Sequence, residues 1–167
     1  SRRVSCYSSH ASETAFSPSE PFQLVPSAYN KIEMIHRPLT VGTRQVTVHL
    51  VDLDTRELVA AWLVTTSSSA PIVSRTYDVD VTVGKSAHKK IAYVNKWDRA
   101  RNFRLRTSEP DLVKVKDPRL SVTGRGKGFI RLWFAPVQHA GTKELFIFVN
   151  DEEDQNEECL MLRLVAN

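Results

Sequence analysis

Apolar and polar residues alternate along most of this chain, with the period of two that a half-buried β-strand gives. Between 45 and 51, Val46, Val48 and Leu50 fall on one face, while the residues between them are polar. The same alternation recurs in 101–107, 112–116, 129–134, 145–149 and 158–165. No stretch of about 12 or more residues shows a helical period, so the pattern predicts an all-β protein.

Seven strands are predicted after a break at 67–71, where three serines and a proline interrupt the alternation. They span 72–83, 88–95, 101–107, 112–116, 121–134, 143–150 and 158–165. Seven short strands separated by turn residues are typical of an immunoglobulin-like β-sandwich. The third, sixth and seventh strands share a sheet in that fold. Their alternation predicts an inward apolar set of Phe103, Leu105, Leu145, Ile147, Val149, Leu160, Leu162 and Leu164.

An internal repeat relates the first part of the chain to the predicted sandwich. Residues 22–38 align with 120–136 without a gap, and after one inserted residue Gly42 aligns with Gly141. The aligned region corresponds to the last three strands of the sandwich. It therefore predicts an earlier copy of the same module whose first strands are cut away.

These patterns divide the chain into three predicted parts. Residues 1–20 hold seven serines and few large apolar residues, so a flexible arm is expected there. Residues 21–70 are expected to be the partial module, and 71–167 the complete seven-stranded sandwich.

The outward face of the sheet formed by the third, sixth and seventh strands is unusually apolar for a surface that water should cover. It carries Arg104 and Arg106, Phe146 and Phe148, and Cys159 and Met161. Phe, Met and Arg are enriched at the centres of protein interfaces, so this face is a candidate partner-binding surface. The alternative is that the partial module or the arm covers it.

Charge is unevenly distributed, although the net charge of the chain is only +4. Eight Lys or Arg and one acid lie within 85–106, whereas seven acids and no Lys or Arg lie within 144–158. The first group predicts a basic edge of Lys85, Lys89, Lys90, Lys96, Arg99 and Arg101. The second predicts an acidic loop of Asp151, Glu152, Glu153, Asp154, Glu157 and Glu158. Such asymmetry favours protein partners of opposite charge, and no nucleic acid is expected because no aromatic stacking platform is evident.

No motif of an enzyme, a metal site or a cofactor site is found. The five histidines are scattered without metal-ligand spacing, and the glycines of 124–128 lack the spacing of a phosphate-binding loop. The acidic loop has no turn glycine for calcium. The two cysteines form no CxxC pair, which favours a reducing compartment. No apolar run approaches the roughly 18 residues of a membrane helix, so no membrane insertion is expected.

Two resemblances follow from longer motifs. Residues 91–118 combine a strand that ends in Asn95, a strand with alternating basic residues and a following Ser-Glu-Pro. This resembles the major sperm protein (MSP) domain family. The segments 58–64 (LVAAWLV), 89–95 (KKIAYVN) and 149–158 (VNDEEDQNEE) resemble the C-terminal region of the nephrocystin-4 family.

The resemblance implies a non-enzymatic scaffold with MSP/PapD-type immunoglobulin-like domains. Its expected location is cytoplasmic, at the base of the cilium or flagellum, in the transition zone and basal body. The implied partners are nephrocystins, other transition-zone proteins and neighbouring modules of the same chain.

MSP-type receptors of acidic or phosphorylated linear peptides offer an alternative function. The resemblance implies that Arg104, Arg106 and Thr107 would lie in such a site. The neighbouring strand departs from that pattern, because it carries Phe146 and Phe148.

Overall fold

The computed structural model describes all residues, Ser1–Asn167, as two compact units, Ser1–Ala70 and Pro71–Asn167. Fourteen β-strands and one short 3₁₀ turn at Ala11–Glu13 make up the regular structure, so the all-β prediction is confirmed. No helix of sufficient length and apolarity to cross a membrane is present.

The first unit contains six strands in two small antiparallel sheets. One sheet has the order β3-β1-β5-β6 and the other pairs β2 with β4. The strands are β1 (Arg2–Ser8), β2 (Thr14–Ser17), β3 (Phe22–Leu24), β4 (Glu33–His36), β5 (Gly42–Asp52) and β6 (Leu58–Ser68).

The expected flexible arm over 1–20 is wrong for Arg2–Ser8, which form strand β1. This strand pairs on one side with β5 and on the other with β3, and Val4 is fully buried. The serine content suggested a solvated segment. Backbone pairing along both edges and one buried apolar side chain are enough to place a polar segment in a sheet.

The second unit is a sandwich of a five-stranded and a three-stranded sheet. The first has the order β11-β9-β13-β14-β7 and the second β10-β12-β8. All eight residues of the predicted inward set are buried in the core between them. The strands are β7 (Val73–Val81), β8 (Ala87–Val94), β9 (Arg101–Thr107), β10 (Val113–Val115), β11 (Arg119–Val122), β12 (Lys127–Phe134), β13 (Gly141–Asn150) and β14 (Asn156–Ala166).

This sandwich has eight strands rather than seven, because the predicted strand 121–134 breaks at 123–126. Its two halves, β11 and β12, join different sheets. Gly124 packs so closely against the chain that an added Cβ would lie 1.9 Å from the backbone oxygen of Asp98. Arg125 follows with a positive φ of 54°. The tight turn redirects the chain from one sheet to the other.

The six strands of the first unit repeat β9–β14 of the second in order and in pairing. Ser8 pairs with Val48 as Thr107 pairs with Ile147, each residue 99 positions from its counterpart. Both long hairpins carry a register shift at the same place, between Leu50 and Val51 and between Val149 and Asn150.

The repeat also includes the hydrogen bonds made by the serine that directly follows β1 and by the serine that directly follows β9. The Ser9 amide donates to the Thr47 carbonyl and the Ser9 hydroxyl accepts from the Thr47 amide, and Ser108 makes both bonds with Phe146.

Residues 1–70 therefore hold the counterparts of six strands, not the three that the sequence alignment predicted. The alignment began at 22 because β1 and β2 share few side-chain types with β9 and β10. Strands β7 and β8 have no counterpart in the first unit.

Candidate interaction surfaces

The outward face of the five-stranded sheet brings most of the predicted partner-binding residues together. Phe148 lies between Arg106 on β9 and Cys159 on β14, and Phe146 lies opposite Met161. The two phenylalanine rings are 6.2 Å apart between centroids. Phe146, Phe148 and Met161 are half-buried and Arg104 is exposed.

Two residues assigned to this face behave differently from the prediction. Thr107 lies opposite the inward residue Ile147, and its hydroxyl accepts the amide of Glu109, so it belongs to a turn rather than to the patch. Cys159 is buried, and burial raises the pKa of its thiol to about 11. A thiol with so high a pKa is almost entirely protonated at neutral pH and is a poor nucleophile.

The acidic loop folds onto the basic strand β9 of the same unit. The carboxylate of Asp154 is buried and accepts hydrogen bonds from the Arg106 guanidinium and the Asn150 amide. Glu157 pairs with Arg101 at 2.8 Å. The side chain of Glu152 accepts a bond of 2.6 Å from Asn102. Opposite charges that the sequence placed on separate surfaces thus neutralise each other within the unit.

The side chain of Glu158 is buried, like that of Asp154, but it has different partners. Its carboxylate accepts a 2.6 Å hydrogen bond from the Ser74 hydroxyl and lies 3.2 Å from the Lys96 ammonium. Burial by itself would raise the pKa of Glu158, but the Ser74 bond and the Lys96 charge outweigh it and hold this pKa below its usual value. Burial first, and then the negative charge of Glu158, raise the pKa of nearby Tyr93.

The predicted basic edge is not one continuous surface. Its six residues are spread over the turn after β7, strand β8, the β8–β9 connection and the start of β9. Lys96 and Arg101 are committed to Glu158 and Glu157. All members except Arg101 are exposed, namely Lys85, Lys89, Lys90, Lys96 and Arg99.

Sequence reasoning missed a second basic surface on the outward side of the three-stranded sheet. We call it the basic-aromatic face. The ammonium of Lys90 lies 3.8 Å from the ring centre of Phe129, and those of Lys127 and Lys114 lie 5.6 Å from Phe129 and Trp133 respectively. These three lysines form no ion pair with an acid. Part of the signal was present as alternation, since the odd positions from 127 to 133 are Lys127, Phe129, Arg131 and Trp133.

No group of three or more His, Cys, Asp or Glu side chains is arranged to hold a metal ion.

Comparison with known proteins gives a consistent family for both units. The family model described as NPH4 Ig-like domain 4 matches residues 74–167, and that described as NPH4 Ig-like domain 3 matches residues 1–69. The chain is 34% identical over 166 residues to Nephrocystin-4 of Homo sapiens and 34% identical over 165 residues to Nephrocystin-4 of Xenopus laevis. Each alignment covers 98% of this chain but only 12% of the relative, so the chain spans a small part of these proteins' length.

Solved structures with a similar fold include two MSP-domain proteins of Caenorhabditis elegans. WR4, an MSP family member, aligns with a TM-score of 0.42 and 12% identity over 55% of this chain and 92% of its own. SSP-19, an MSP-domain protein like family member, aligns with a TM-score of 0.40 and 8% identity over 52% of this chain and 91% of its own.

Proposed function

Since this chain belongs to the nephrocystin-4 family, we propose that it is a non-enzymatic part of a protein-interaction scaffold at the base of the cilium. The observation that carries the proposal is family similarity over 98% of the chain, across both units. The proposed partners are other nephrocystins and transition-zone proteins, together with neighbouring modules of the same polypeptide. The proposed location is the cytoplasmic side of the transition zone and the basal body.

Within this scaffold we propose the outward face around Phe146 and Phe148 as a partner-binding surface. Two adjacent aromatic rings on an outward sheet face offer apolar area that a partner can bury. Arg104 and Met161 flank them. Arg106 is not proposed as a direct contact, because it is already bound to Asp154.

Proximity labelling in ciliated cells tests this proposal in the full-length protein. Phe146→Ser with Phe148→Ser should reduce labelling of transition-zone proteins. A matched control, Tyr29→Ser, removes an exposed aromatic ring that lies outside both proposed binding surfaces and should leave labelling unchanged. Unchanged labelling in the double variant, with the fold intact by circular dichroism, contradicts the surface assignment. If the unaltered protein does not label proteins at the base of the cilium, the proposed function itself is contradicted.

A second candidate function is binding of acidic or phosphorylated linear peptides, and one observation favours it. The basic-aromatic face holds three lysines without acidic partners. By contrast Arg106, which matches a residue of the MSP peptide site, is already bound to Asp154. Exposed charge pairs are weakened by salt. A glutamate-rich peptide should therefore bind less tightly as salt rises and after Lys90→Glu with Lys114→Glu. Binding that neither salt nor these changes affect contradicts this candidate.

We also propose that the two units are consecutive modules of an array. The matching strand registers and the two consecutive family models support this arrangement.

A further inference from the structure

Strand β8 is an edge of the three-stranded sheet in the second unit, and no strand lies on its outer side. We propose that β8 binds an acidic segment of a partner protein by β-strand addition, so that the segment becomes a fourth strand of this sheet. The inference rests on the proposed binding of acidic peptides and specifies how the second unit holds them.

The ladder between β8 and β12 determines which backbone groups of β8 are free. The two strands pair over residues 87–94 without a register shift. Directly beyond this ladder the Asn95 amide donates to the Gly126 carbonyl at 3.0 Å, so the odd-numbered residues of β8 direct their amides and carbonyls towards β12. The even-numbered residues direct theirs away from the sheet. These residues, with which an added strand would pair, are His88, Lys90, Ala92 and Val94.

The regular geometry of β8 suits it to strand addition. It has eight residues with no proline and no bulge, whereas β10 at the opposite edge of the same sheet has three residues. A long, regular edge is a template for another strand unless side chains or charge protect it. In β8 the protection comes from charge.

Positive charge determines which strand this edge accepts. Lys89 and Lys90 lie within β8 and Lys85 precedes it, and all three are exposed and form no ion pair with an acid. No Asp or Glu occurs within 82–97. Two copies of this edge would repel each other, because like charges on adjacent strands are unfavourable. The same lysines attract a strand that carries carboxylates, so the occupant is an acidic extended segment.

The side chains of an added strand would alternate between the two faces of the sheet. On the outward face they would lie beside Lys90, whose ammonium is 3.8 Å from the ring centre of Phe129 in the basic-aromatic face. On the other face they would lie beside Lys89, the neighbouring residue of β8. Each face thus offers a lysine to a carboxylate, and a segment of about eight residues matches the length of β8.

Hydrogen exchange on the 167-residue chain tests the pairing directly. The probe is a synthetic peptide as long as β8 that alternates glutamate and threonine and has both ends blocked. Exchange is measured residue by residue by NMR, with and without a saturating concentration of the probe. We expect the amides of Lys90, Ala92 and Val94 to exchange severalfold more slowly in the complex. The odd-numbered amides of 89–93 already bond to β12 and should change less.

A second form of the probe shows whether its backbone takes part in binding. N-methylation of two consecutive central residues removes one amide hydrogen that would face β8, whichever side of the peptide lies against the strand. The charge of the peptide is unchanged. Strand addition therefore predicts that the methylated probe does not bind.

Charge-reversed variants distinguish the edge at β8 from the rest of the sheet. Lys89→Glu with Lys90→Glu should weaken binding of the probe by about tenfold or more. The matched control, Lys114→Glu with Lys116→Glu, makes the same change in charge at β10 and should alter the affinity by no more than about twofold. Slow exchange at 159–166, within the five-stranded sheet, reports that each variant is folded.

Strand addition is supported by protection of the even-numbered amides together with loss of binding in the methylated probe and in the β8 variant. It is overturned, while the peptide-binding function stands, if the probe binds without protecting these amides, if the methylated probe binds equally well, or if both lysine variants lose binding equally. Protection that rises with protein concentration in the absence of the probe identifies a second copy of the chain as the occupant and also overturns it. If the probe does not bind at all, the peptide-binding function is overturned together with the inference.

Discussion

The side chain of Asn95 is hydrogen-bonded to the turn at 123–126, where the chain passes from one sheet of the second unit to the other. Its removal should destabilise the second unit strongly. The residue is completely buried. Its amide nitrogen donates to the carbonyls of Arg99, Val122 and Thr123 at 2.9–3.1 Å, and its oxygen accepts the Trp97 amide at 3.0 Å. One side chain thus joins the β8–β9 connection to the last residue of β11 and to the residue that follows it.

The cost of Asn95→Ala follows from these bonds. The change removes two donating hydrogens and one accepting oxygen, at about 1 kcal/mol net for each, and the buried backbone groups left unpaired add roughly 1 kcal/mol more. The expected loss in the free energy of unfolding is about 3–4 kcal/mol. Asn95→Asp should cost more at neutral pH, because a carboxylate would face three carbonyl oxygens. Part of this loss should be recovered in acid, where the new carboxyl group is protonated and can donate.

Urea unfolding is the appropriate assay, in a Trp62→Phe background where both remaining tryptophans report on the second unit. Asn102→Ala is the matched control. This exposed amide bonds only to surface side chains and its loss should cost less than about 0.5 kcal/mol. A loss below about 1 kcal/mol for Asn95→Ala would refute the argument. So would equal stability of the Ala and Asp variants at every pH.

Three further predictions concern the second unit. Gly124→Ala places a Cβ 1.9 Å from the Asp98 backbone oxygen and should cost about 3 kcal/mol or more in urea unfolding, since neither backbone can yield cheaply. Arg106→Ala removes the guanidinium that is hydrogen-bonded to the buried carboxylate of Asp154 and should cost about 3 kcal/mol in the same assay. The pKa of Glu158 is lowered in the folded protein, so its stabilisation is present above the unfolded pKa near 4.5 and is lost as the pH falls. Glu158→Gln should therefore weaken the acid dependence of the urea midpoint.

Control variants distinguish these specific losses of stability from nonspecific destabilisation by any substitution. Gly84→Ala, which also lies in the second unit, meets no atom within 4 Å and adds only the strain of a positive φ, about 1 kcal/mol. Arg131→Ala removes an exposed pair with Asp117 and should cost about 1 kcal/mol or less. Equal losses for Gly124→Ala and Gly84→Ala, or for Arg106→Ala and Arg131→Ala, would contradict the packing and burial arguments. If Glu158→Gln leaves the pH dependence of the urea midpoint unchanged, the prediction for Glu158 is contradicted.

Alternation predicted the core of the second unit because each sandwich strand exposes one face to water. All eight residues assigned inward from β9, β13 and β14 are buried. The same alternation did not predict strand β1, which has a single fully buried apolar side chain. In β1 only Val4 is fully buried, and its position is set by pairing with Asp52, 48 residues away.

The surfaces were predicted less well, because long-range pairing between charges leaves no mark on local sequence. Arg101 and Glu157 are 56 residues apart, yet the fold places them in one ion pair. The sequence showed a basic segment and an acidic loop but not that the loop returns across β9. The basic-aromatic face was missed because its three lysines lie on three different strands, which are neighbours only in the folded sheet.

Native-state hydrogen exchange on the 167-residue chain tests the central structural claim most directly. The claim is that the two units repeat one module, and that the first lacks the two strands that close the second. Residues 61–68 of β6 have a neighbour on one side, whereas the equivalent residues 159–166 of β14 lie between two strands. The account predicts that amides in 61–68 exchange many times faster than those in 159–166. Equal protection of the two segments would contradict it.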